Sequence, residues 1–240
     1  MFQLLPDPIL SIIYPQACDV CEREVEKYRD GVACRDCWNA TRIFNGNETL
    51  CTKCGAFLFA VASSRDLYCQ TCAEHFYVRA ISVGIYEKAL AASVLRLKRS
   101  PFIARHLEGL ILQRARSENI KGSSIVLPVP LSPRRYRERG FNQAAVIAKL
   151  VSRNLGLSVN ERILIRETHT PTHRAGMDKK ARAATVKNAF AVERSGLIDG
   201  QHVLLVDDVM TSGETVSMCA KALKKSGAAT VSVLTVARAA

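Results

Sequence analysis

The sequence lacks the features that direct a chain into a membrane. Its 240 residues contain no run approaching the roughly 18 consecutive apolar residues that a transmembrane helix requires. The apolar start, MFQLLPDPILSIIYPQ, carries no basic leading segment and is interrupted by Pro6, Asp7, Pro8 and Pro15, so it is not typical of a signal peptide. The sequence therefore predicts a cytoplasmic protein without membrane insertion.

Acidic residues are scarce relative to basic ones. Lysine and arginine total 34 against 22 aspartates and glutamates, which gives a net charge of +12. An excess of this size favours polyanionic partners, either nucleic acid or a phosphorylated small molecule. If eight cysteines bind two zinc ions as thiolates, the net charge falls to about +8 and the protein stays basic.

Cysteine is almost absent beyond residue 72, where Cys219 alone remains and is predicted to be a small buried core residue. The other eight form C-x-x-C pairs: Cys18 with Cys21, Cys34 with Cys37, Cys51 with Cys54, and Cys69 with Cys72. In a reducing cytoplasm such pairs predict two structural zinc sites of four cysteines each. We assign the first two pairs to one site and the last two to the other. The alternative is a cross-braced arrangement, first pair with third and second with fourth, and the spacing does not decide between them. A thioredoxin-like redox function is the alternative, but its βαβ context is missing.

Aromatic residues lie among basic ones in this cysteine-rich region. Examples are Trp38, Phe44 and Phe57. We favour the interpretation that they form the core of a small module, because such modules bury little else. The alternative is that they stack on single-stranded bases, in which case Trp38 would contribute to DNA binding.

The composition changes after Cys72 from cysteine pairs to β-branched runs that alternate with helical patterns. This change divides the chain into a zinc-binding double ribbon, 1–78, and a larger region, 79–240. Strands are predicted at 79–86, 123–130, 162–165, 202–208 and 230–237, and helices at 91–98, 104–117, 142–155 and 213–226. Their alternation predicts an α/β fold: a doubly wound, mostly parallel sheet with a small N-terminal zinc-ribbon module.

Two adjacent carboxylates stand at the end of a predicted buried strand, in the segment VLLVDDVMTSGET (203–215). The strand delivers Asp207 and Asp208 to the edge at which open α/β sheets bind ligands. Paired carboxylates do not bind phosphate, but they accept hydrogen bonds from vicinal hydroxyls such as those of a ribose. The pair therefore predicts a sugar site.

The residues that follow turn the chain into a helix and predict a phosphate site. Thr211, Ser212 and Gly213 expose backbone N–H groups at a helix N-terminus, whose dipole favours an anion. Together with the paired acids, this turn fits a ribose 5-phosphate unit. The alternative is an ordinary helix cap, since Thr211 and Glu214 match the capping-box pattern, but a cap does not explain the paired acids.

This segment closely resembles the motif with which type I phosphoribosyltransferases bind phosphoribosyl pyrophosphate (PRPP). The resemblance implies that Asp207 and Asp208 hold the ribose hydroxyls. It implies that the 5-phosphate is held by Thr211, Ser212, Gly213, Glu214 and Thr215. It also implies a type I phosphoribosyltransferase-like sheet and a magnesium ion that accompanies PRPP.

The upstream stretch PVPLSPRRYRERGFNQ (128–143) resembles the distinctive loop of the ComF/GntX family, whose members also carry an N-terminal cysteine-rich region. The resemblance implies that this loop faces the pyrophosphate end of PRPP. Its candidate ligands are Ser132, Arg134 and Arg135. Arginine forks suit phosphate oxygens, although a basic run can also be a solvated surface. Asn142 and Gln143 either brace the loop or cap the next helix.

A long polar segment, 167–188, matches the position of the hood that covers PRPP in this fold. Closure of a hood excludes the water that would hydrolyse an activated glycosyl donor. The segment has His173 and Thr185 where the family usually has a glutamine and an asparagine, which indicates a different acceptor. A plain surface loop is the alternative.

The resemblance implies a PRPP-dependent phosphoribosyltransferase of the ComF type, linked to DNA uptake or utilisation. An acceptor would attack C1 of the ribose with loss of pyrophosphate, through positioning and charge stabilisation. Thr211 stands where purine-salvage relatives carry a carboxylate, so that general base is missing. The competing hypothesis is a non-catalytic DNA-processing factor whose PRPP site senses a metabolite. Single-stranded DNA and DNA-uptake proteins are the expected macromolecular partners.

Overall fold

Five parallel strands form the central sheet of the molecule. The computed structural model describes residues 14–27, 31–58, 68–117, 120–167 and 189–239. Within them the sheet has the order β1-β7-β6-β2-β3. Its strands are β1 (Arg79–Ile85), β2 (Ile125–Pro128), β3 (Ser158–Val159), β6 (His202–Met210) and β7 (Thr230–Arg238). The strands β4 (Leu164–Arg166) and β5 (Phe190–Val192) form a separate antiparallel pair.

Six helices accompany these strands in the described part of the chain. They are α1 (Arg35–Asn39), α2 (Lys88–Leu97), α3 (Arg105–Ser117), α4 (Pro133–Arg139), α5 (Gln143–Leu155) and α6 (Glu214–Lys225). Among the described residues, no helix has the length and apolar character needed to cross a membrane.

The inner strands are nearly continuous apolar runs because both of their faces are covered. In β6, Leu204 and Leu205 point to opposite faces, and both are fully buried. Helix α5 packs with α2 and α3 on the face of Leu204, whereas α6 packs on the face of Leu205. Cys219 of α6 is fully buried there, which confirms its prediction as a core residue.

The direction of winding changes between β2 and β6. From β2 the chain leads through α4 and α5 outward to β3, whereas from β6 it leads through α6 to β7 on the other side. Pro128, the last residue of β2, lies beside Val206 of β6. A crevice therefore opens beyond the carboxyl ends of these two strands, which is where doubly wound sheets bind ligands. The paired acids and the basic segment meet at this crevice.

The two cysteine groups lie on either side of the outer strand β1. Residues of the first group belong to the core on the α2 and α3 face, and residues of the second belong to the core on the α6 face. The chain between the groups pairs with β1: Phe44 N–H donates to Val83 O (2.9 Å), and Ile85 N–H donates to Arg42 O (3.0 Å). Gly84 permits this approach, because a Cβ there would collide with the Arg42 carbonyl oxygen. The pairing covers an edge that would otherwise present unpaired backbone groups.

The segment predicted as a basic loop is in part a helix, α4. Ser132 caps it, its Oγ accepting a hydrogen bond from Arg135 N–H (3.3 Å), and Pro133 occupies the first turn. Gly140, at φ 77°, ends it in the left-handed conformation. A second difference concerns the strand predicted at 162–165, which is β4 and lies outside the main sheet. The other predicted strands and helices are present with shifted ends.

Candidate functional site

Asp207 and Asp208 lie at the crevice, near the carboxyl end of β6. Asp208 is buried, with 7% of its surface exposed, and Asp207 is half-buried. The local backbone binds both carboxylates: Asp208 N–H donates to Asp207 Oδ1 (2.9 Å), and Val209 N–H donates to Asp208 Oδ1 (2.8 Å). Burial, together with the Asp208 carboxylate, raises the pKa of Asp207 well above its usual value. A carboxyl group whose pKa is raised in this way, beside a second carboxylate in a crevice, is typical of a functional site.

Asp208 is held from two sides by residues of other elements. Lys98 Nζ, just after α2, lies 3.5 Å from Asp208 Oδ2. Gln143, which is buried at the start of α5, donates from Nε2 to the same oxygen (3.2 Å). Its Oε1 accepts a hydrogen bond from Arg139 Nη1 (2.7 Å) at the end of α4. A chain of contacts thus links the predicted pyrophosphate segment to the acid pair.

The open question about the two amides has a separate answer for each. Asn142 both caps and braces: its Oδ1 accepts from Ala144 N–H (3.0 Å), and its Nδ2 donates to Val129 O (2.9 Å), beyond the end of β2. Gln143 reaches the acid pair instead. Lys98 was not predicted at all, because a lysine at a helix end carries no signal for a contact 110 residues away.

The turn 211–215 has the form expected of a phosphate site. The helix begins after Gly213, at φ 82°, and no side chain caps it there. The capping box expected from the alternative interpretation, with Thr211 as the cap, is therefore absent. Ser212 Oγ accepts from Glu214 N–H (3.3 Å), and the side chains around Gly213 stay exposed. An uncapped helix start offers its N–H groups to an anion.

The predicted pyrophosphate ligands lie on α4, at the other wall of the crevice. Ser132 is engaged as the helix cap. Arg134 is exposed and pairs with Glu138 (2.8 Å), one turn along the helix, and Arg135 is also exposed. A helix spreads its arginines around its circumference, so they do not form the single cluster that a loop would allow. Arg139, at the end of α4, contacts Gln143, which in turn contacts Asp208.

The eight cysteines form two groups in the successive pairing. In each group the four Sγ atoms lie within 4.8 Å of one another. Neighbouring sulfurs are 3.6 Å apart in the first group (Cys21 and Cys34) and 3.4 Å apart in the second (Cys51 and Cys72). A zinc–sulfur bond of about 2.3 Å sets the edge of a tetrahedron at about 3.8 Å, so both groups fit zinc. None of the eight is paired in a disulfide, so all of their sulfur atoms can serve as metal ligands.

The aromatic residues of the cysteine-rich region serve mainly as its core. Trp38 is 6% exposed and packs on His106 with ring centroids 4.4 Å apart. Phe44 is buried against Phe57 at 5.8 Å. The core interpretation is confirmed for Trp38 and Phe44, and the expectation that Trp38 stacks on a base is wrong because its ring is enclosed. Tyr68 keeps 63% of its surface exposed.

The predicted hood, 167–188 with His173 and Thr185, lies almost wholly outside the described residues. Of its residues the structure describes only Glu167. Glu167 N–H donates to Ala189 O (3.0 Å), next to the paired strands β4 and β5.

The switch-point crevice, the acid pair, the uncapped turn and the two cysteine groups define a class: a phosphoribosyltransferase-type α/β domain joined to a double zinc ribbon. Models of both families match the chain. The double zinc ribbon domain matches residues 9–73, and the phosphoribosyl transferase domain matches residues 142–240.

Curated relatives match almost the whole chain. DNA utilization protein YhgH of Shigella flexneri is 31% identical over 227 residues, covering 91% of this chain and 95% of that protein. Competence protein F of Haemophilus influenzae is 30% identical over 231 residues, covering 92% and 96%. The chain therefore belongs to the ComF/GntX family. Competence protein ComFC of Bacillus subtilis is 29% identical over 119 residues, covering 48% of this chain and 44% of that protein.

Solved structures overlap the chain more loosely. The allosteric regulatory enzyme of purine biosynthesis gives a TM-score of 0.40 at 18% identity, over 59% of this chain and 30% of that chain. Glutamine PRPP amidotransferase from B. subtilis gives 0.39 at 19% identity, over 60% and 26%.

Proposed function

We propose that this chain binds PRPP between β2 and β6 and transfers its phosphoribosyl group to an acceptor. The observation that carries the proposal is the acid pair at the switch point. Asp207 and Asp208 are adjacent, Asp208 is buried, and burial together with the Asp208 carboxylate raises the pKa of Asp207 well above its usual value. Ribose hydroxyls are donors that such a pair accepts, and the uncapped turn 211–215 lies beside it for the 5-phosphate.

Each wall of the crevice has a separate task in this proposal. The acids orient the ribose, and residues 211–215 bind the 5-phosphate. Ser132, Arg134 and Arg135 bind the pyrophosphate from α4. Arg134 exchanges Glu138 for a pyrophosphate oxygen, which is feasible because exposed ion pairs contribute little.

Transfer requires the acceptor to attack C1 of the ribose while pyrophosphate leaves. No covalent enzyme intermediate is needed, so the residues act by orienting the ribose and by stabilising the separating charges. The proposal keeps the hypothesis that the segment 167–188, almost wholly outside the described residues, serves to exclude water during transfer. Carboxylate oxygens are the ligands that magnesium prefers, so Asp207 and Asp208 fit the ion. When bound, magnesium would supply positive charge that offsets the negative charge of the leaving pyrophosphate.

The rest of the chain fits a role in DNA metabolism. The names of the relatives refer to DNA utilization and competence, and the net charge of +12 suits an anionic partner. The proposal therefore includes single-stranded DNA and DNA-uptake proteins as partners in the cytoplasm. It also includes two structural zinc ions and a division into a zinc module, 1–78, and a phosphoribosyltransferase-like domain, 79–240.

Calorimetry with PRPP and magnesium tests the binding step. The double variant Asp207→Asn with Asp208→Asn should lose PRPP binding and keep its fold. Glu161→Gln is the matched control, since it neutralises an exposed acid that pairs with Lys149. A wild-type chain that does not bind PRPP, or a double variant of unchanged affinity, would overturn the proposal.

Pyrophosphate release tests the transfer step. The assay uses PRPP with a panel of nucleobases and with single-stranded DNA as acceptors. Release that depends on one acceptor identifies the reaction. Binding of PRPP without release on any acceptor would favour the non-catalytic sensor instead.

A further inference from the structure

The phosphate turn 211–215 is packed from one side by residues that follow the second cysteine group. A Cβ built on Gly213 would lie 2.9 Å from Tyr77 Oη and 3.0 Å from His75 Cε1. These distances are shorter than real Cβ contacts, so the turn and this segment touch through the bare backbone of a glycine. Neither His75 nor Tyr77 belongs to the motifs that predict the site.

The segment between Cys72 and Tyr77, named here the exit segment (73–77), is held firmly at the cysteine end. His75 N–H donates to Cys72 O (3.1 Å). Lys53 lies between Cys51 and Cys54, the other cysteine pair of the same group. Its Nζ donates to Ala73 O (3.2 Å) and to His75 O (2.8 Å). The position of His75 is therefore set by contacts with both cysteine pairs of the second group.

The exit segment is also fixed to the helix that carries the turn. Phe76 N–H donates to Ser217 Oγ (3.2 Å), one turn into α6. Lys221 Nζ, one turn further, lies 4.8 Å from the centre of the Phe76 ring. The segment thus spans from the cysteine group to the first turns of α6.

A third set of contacts fixes the second cysteine group to the sheet. Ala80 N–H at the start of β1 donates to Lys53 O (2.6 Å). Arg238, buried at the end of β7, donates from Nη1 to Cys54 O (2.7 Å). Arg238 lies beside Met210, the last residue of β6 before the turn. These contacts tie the second cysteine group both to the start of β1 and to the end of β7, beside the strand that leads into the turn.

His75 and Tyr77 form a rigid pair against the turn. His75 Nδ1 lies 2.6 Å from Tyr77 Oη, and Tyr77 is 1% exposed. A histidine ring nitrogen and a tyrosine hydroxyl at this distance share a hydrogen bond. The hydrogen bond holds both side chains at the distance at which they meet Gly213.

We propose that His75 and Tyr77 are positioning residues, through which the second cysteine group holds the phosphate turn in its binding conformation. The inference rests on the proposed PRPP site and assigns the double ribbon a part in ligand binding. The first cysteine group packs on the opposite face, where Trp38 contacts His106 of α3. The two groups therefore differ in their effect on the ligand.

The test uses the full-length, zinc-loaded chain with Tyr77→Phe, His75→Ala and His75→Asn. Tyr77→Phe removes one oxygen atom, and His75→Asn keeps an acceptor near the position of Nδ1. The matched control is His202→Ala, which removes a similar bond from histidine Nδ1 to the Thr230 hydroxyl (2.8 Å) at the far end of β6. The two readouts are PRPP affinity by calorimetry and hydrogen–deuterium exchange of the 211–217 amides without ligand.

Tyr77→Phe and His75→Ala should each weaken PRPP binding by about 3- to 10-fold and speed exchange of these amides by a similar factor, as expected for one lost hydrogen bond. His75→Asn should restore most of both. The control should change neither. Unchanged exchange in Tyr77→Phe and His75→Ala overturns the inference, and weaker binding with unchanged exchange would make His75 a direct ligand instead. Faster exchange in a chain whose wild type does not bind PRPP would support the positioning role while the proposed function fails.

Discussion

Replacing Gln143 with leucine should break the hydrogen-bonded link between α4 and the acid pair. Gln143 is 4% exposed. Its amide joins Asp208 on one side (3.2 Å) and Arg139 on the other (2.7 Å). Leucine has a similar volume and no polar atoms, so Gln143→Leu removes both hydrogen bonds without leaving a large cavity. The variant tests whether the contact between α4 and the acid pair contributes to ligand binding.

The two lost bonds differ in their expected effects. Arg139 is half-buried, so water can replace Gln143 as its hydrogen-bond partner. Losing the bond between Arg139 and Gln143 should therefore change stability little. Asp208 is buried, and the positively charged partner that it keeps is Lys98, at 3.5 Å. A hydrogen bond to a charged group contributes about 1.5–3 kcal/mol. Gln143→Leu should lower the free energy of unfolding by about that amount and weaken PRPP binding about 10- to 100-fold, since about 1.4 kcal/mol corresponds to tenfold in affinity.

Chemical denaturation and calorimetry measure the two effects. Asn154→Leu is the control, because it makes the same amide-to-leucine change on the exposed side of α5, where Asn154 Nδ2 donates to Leu150 O (3.0 Å). The control should leave PRPP affinity unchanged. If Gln143→Leu binds PRPP as tightly as the wild type, the acid pair does not depend on Gln143 and the reasoning is refuted.

Three further predictions concern charge, metal and DNA. Burial and the Asp208 carboxylate raise the pKa of Asp207, so the folded state loses stability as pH rises through that raised pKa. Asp207→Asn should therefore raise the unfolding midpoint more at pH 8 than at pH 4. Equal increases at the two pH values would contradict this prediction. Elemental analysis should find about two zinc ions per chain, and chelation should lower thermal stability; one ion or none would contradict the double site. Single-stranded DNA should bind better than duplex, with affinity falling steeply as salt rises. Tyr68→Ala should weaken the binding of single-stranded DNA. A wild-type chain that binds no single-stranded DNA at low salt would refute the hypothesis.

The sequence could predict those site residues that belong to β6 or follow it directly in the chain. The apolar run of β6, the adjacent Asp207 and Asp208, and the turn at Gly213 lie within a dozen residues. Each has a local physical signal: burial, charge and a helix start. Their neighbourhood in space follows from their neighbourhood in the chain, so no folding information is needed.

The helix α4 could have been predicted but was not. Ser132, Pro133 and Gly140 are the ordinary start and stop signals of a helix. The run of arginines between them drew the interpretation toward a loop. The successive cysteine pairing, in contrast, could not be chosen from near-equal spacings, because either pairing closes loops of acceptable length. It depends on packing, since the two groups lie on opposite faces of the sheet.

The contacts of Lys98, His75 and Tyr77 were beyond sequence reasoning for the same reason. Each joins the site to an element that is remote along the chain, and each side chain has a common alternative role as a surface charge or a core residue. Their partners become neighbours only once the sheet order is fixed. Long-range contacts of this kind are decided by topology and not by local pattern.

The double ribbon is more than an appendage to the sheet. It supplies the backbone groups that pair with Val83 and Ile85 on the outer edge of β1. It also supplies the carbonyl of Cys54 that accepts from the buried guanidinium of Arg238. Without these partners the sheet would expose a strand edge and bury an arginine with fewer acceptors, and both changes are unfavourable. The division after residue 78 thus follows the composition of the chain, whereas the stability of the sheet depends on contacts that cross it.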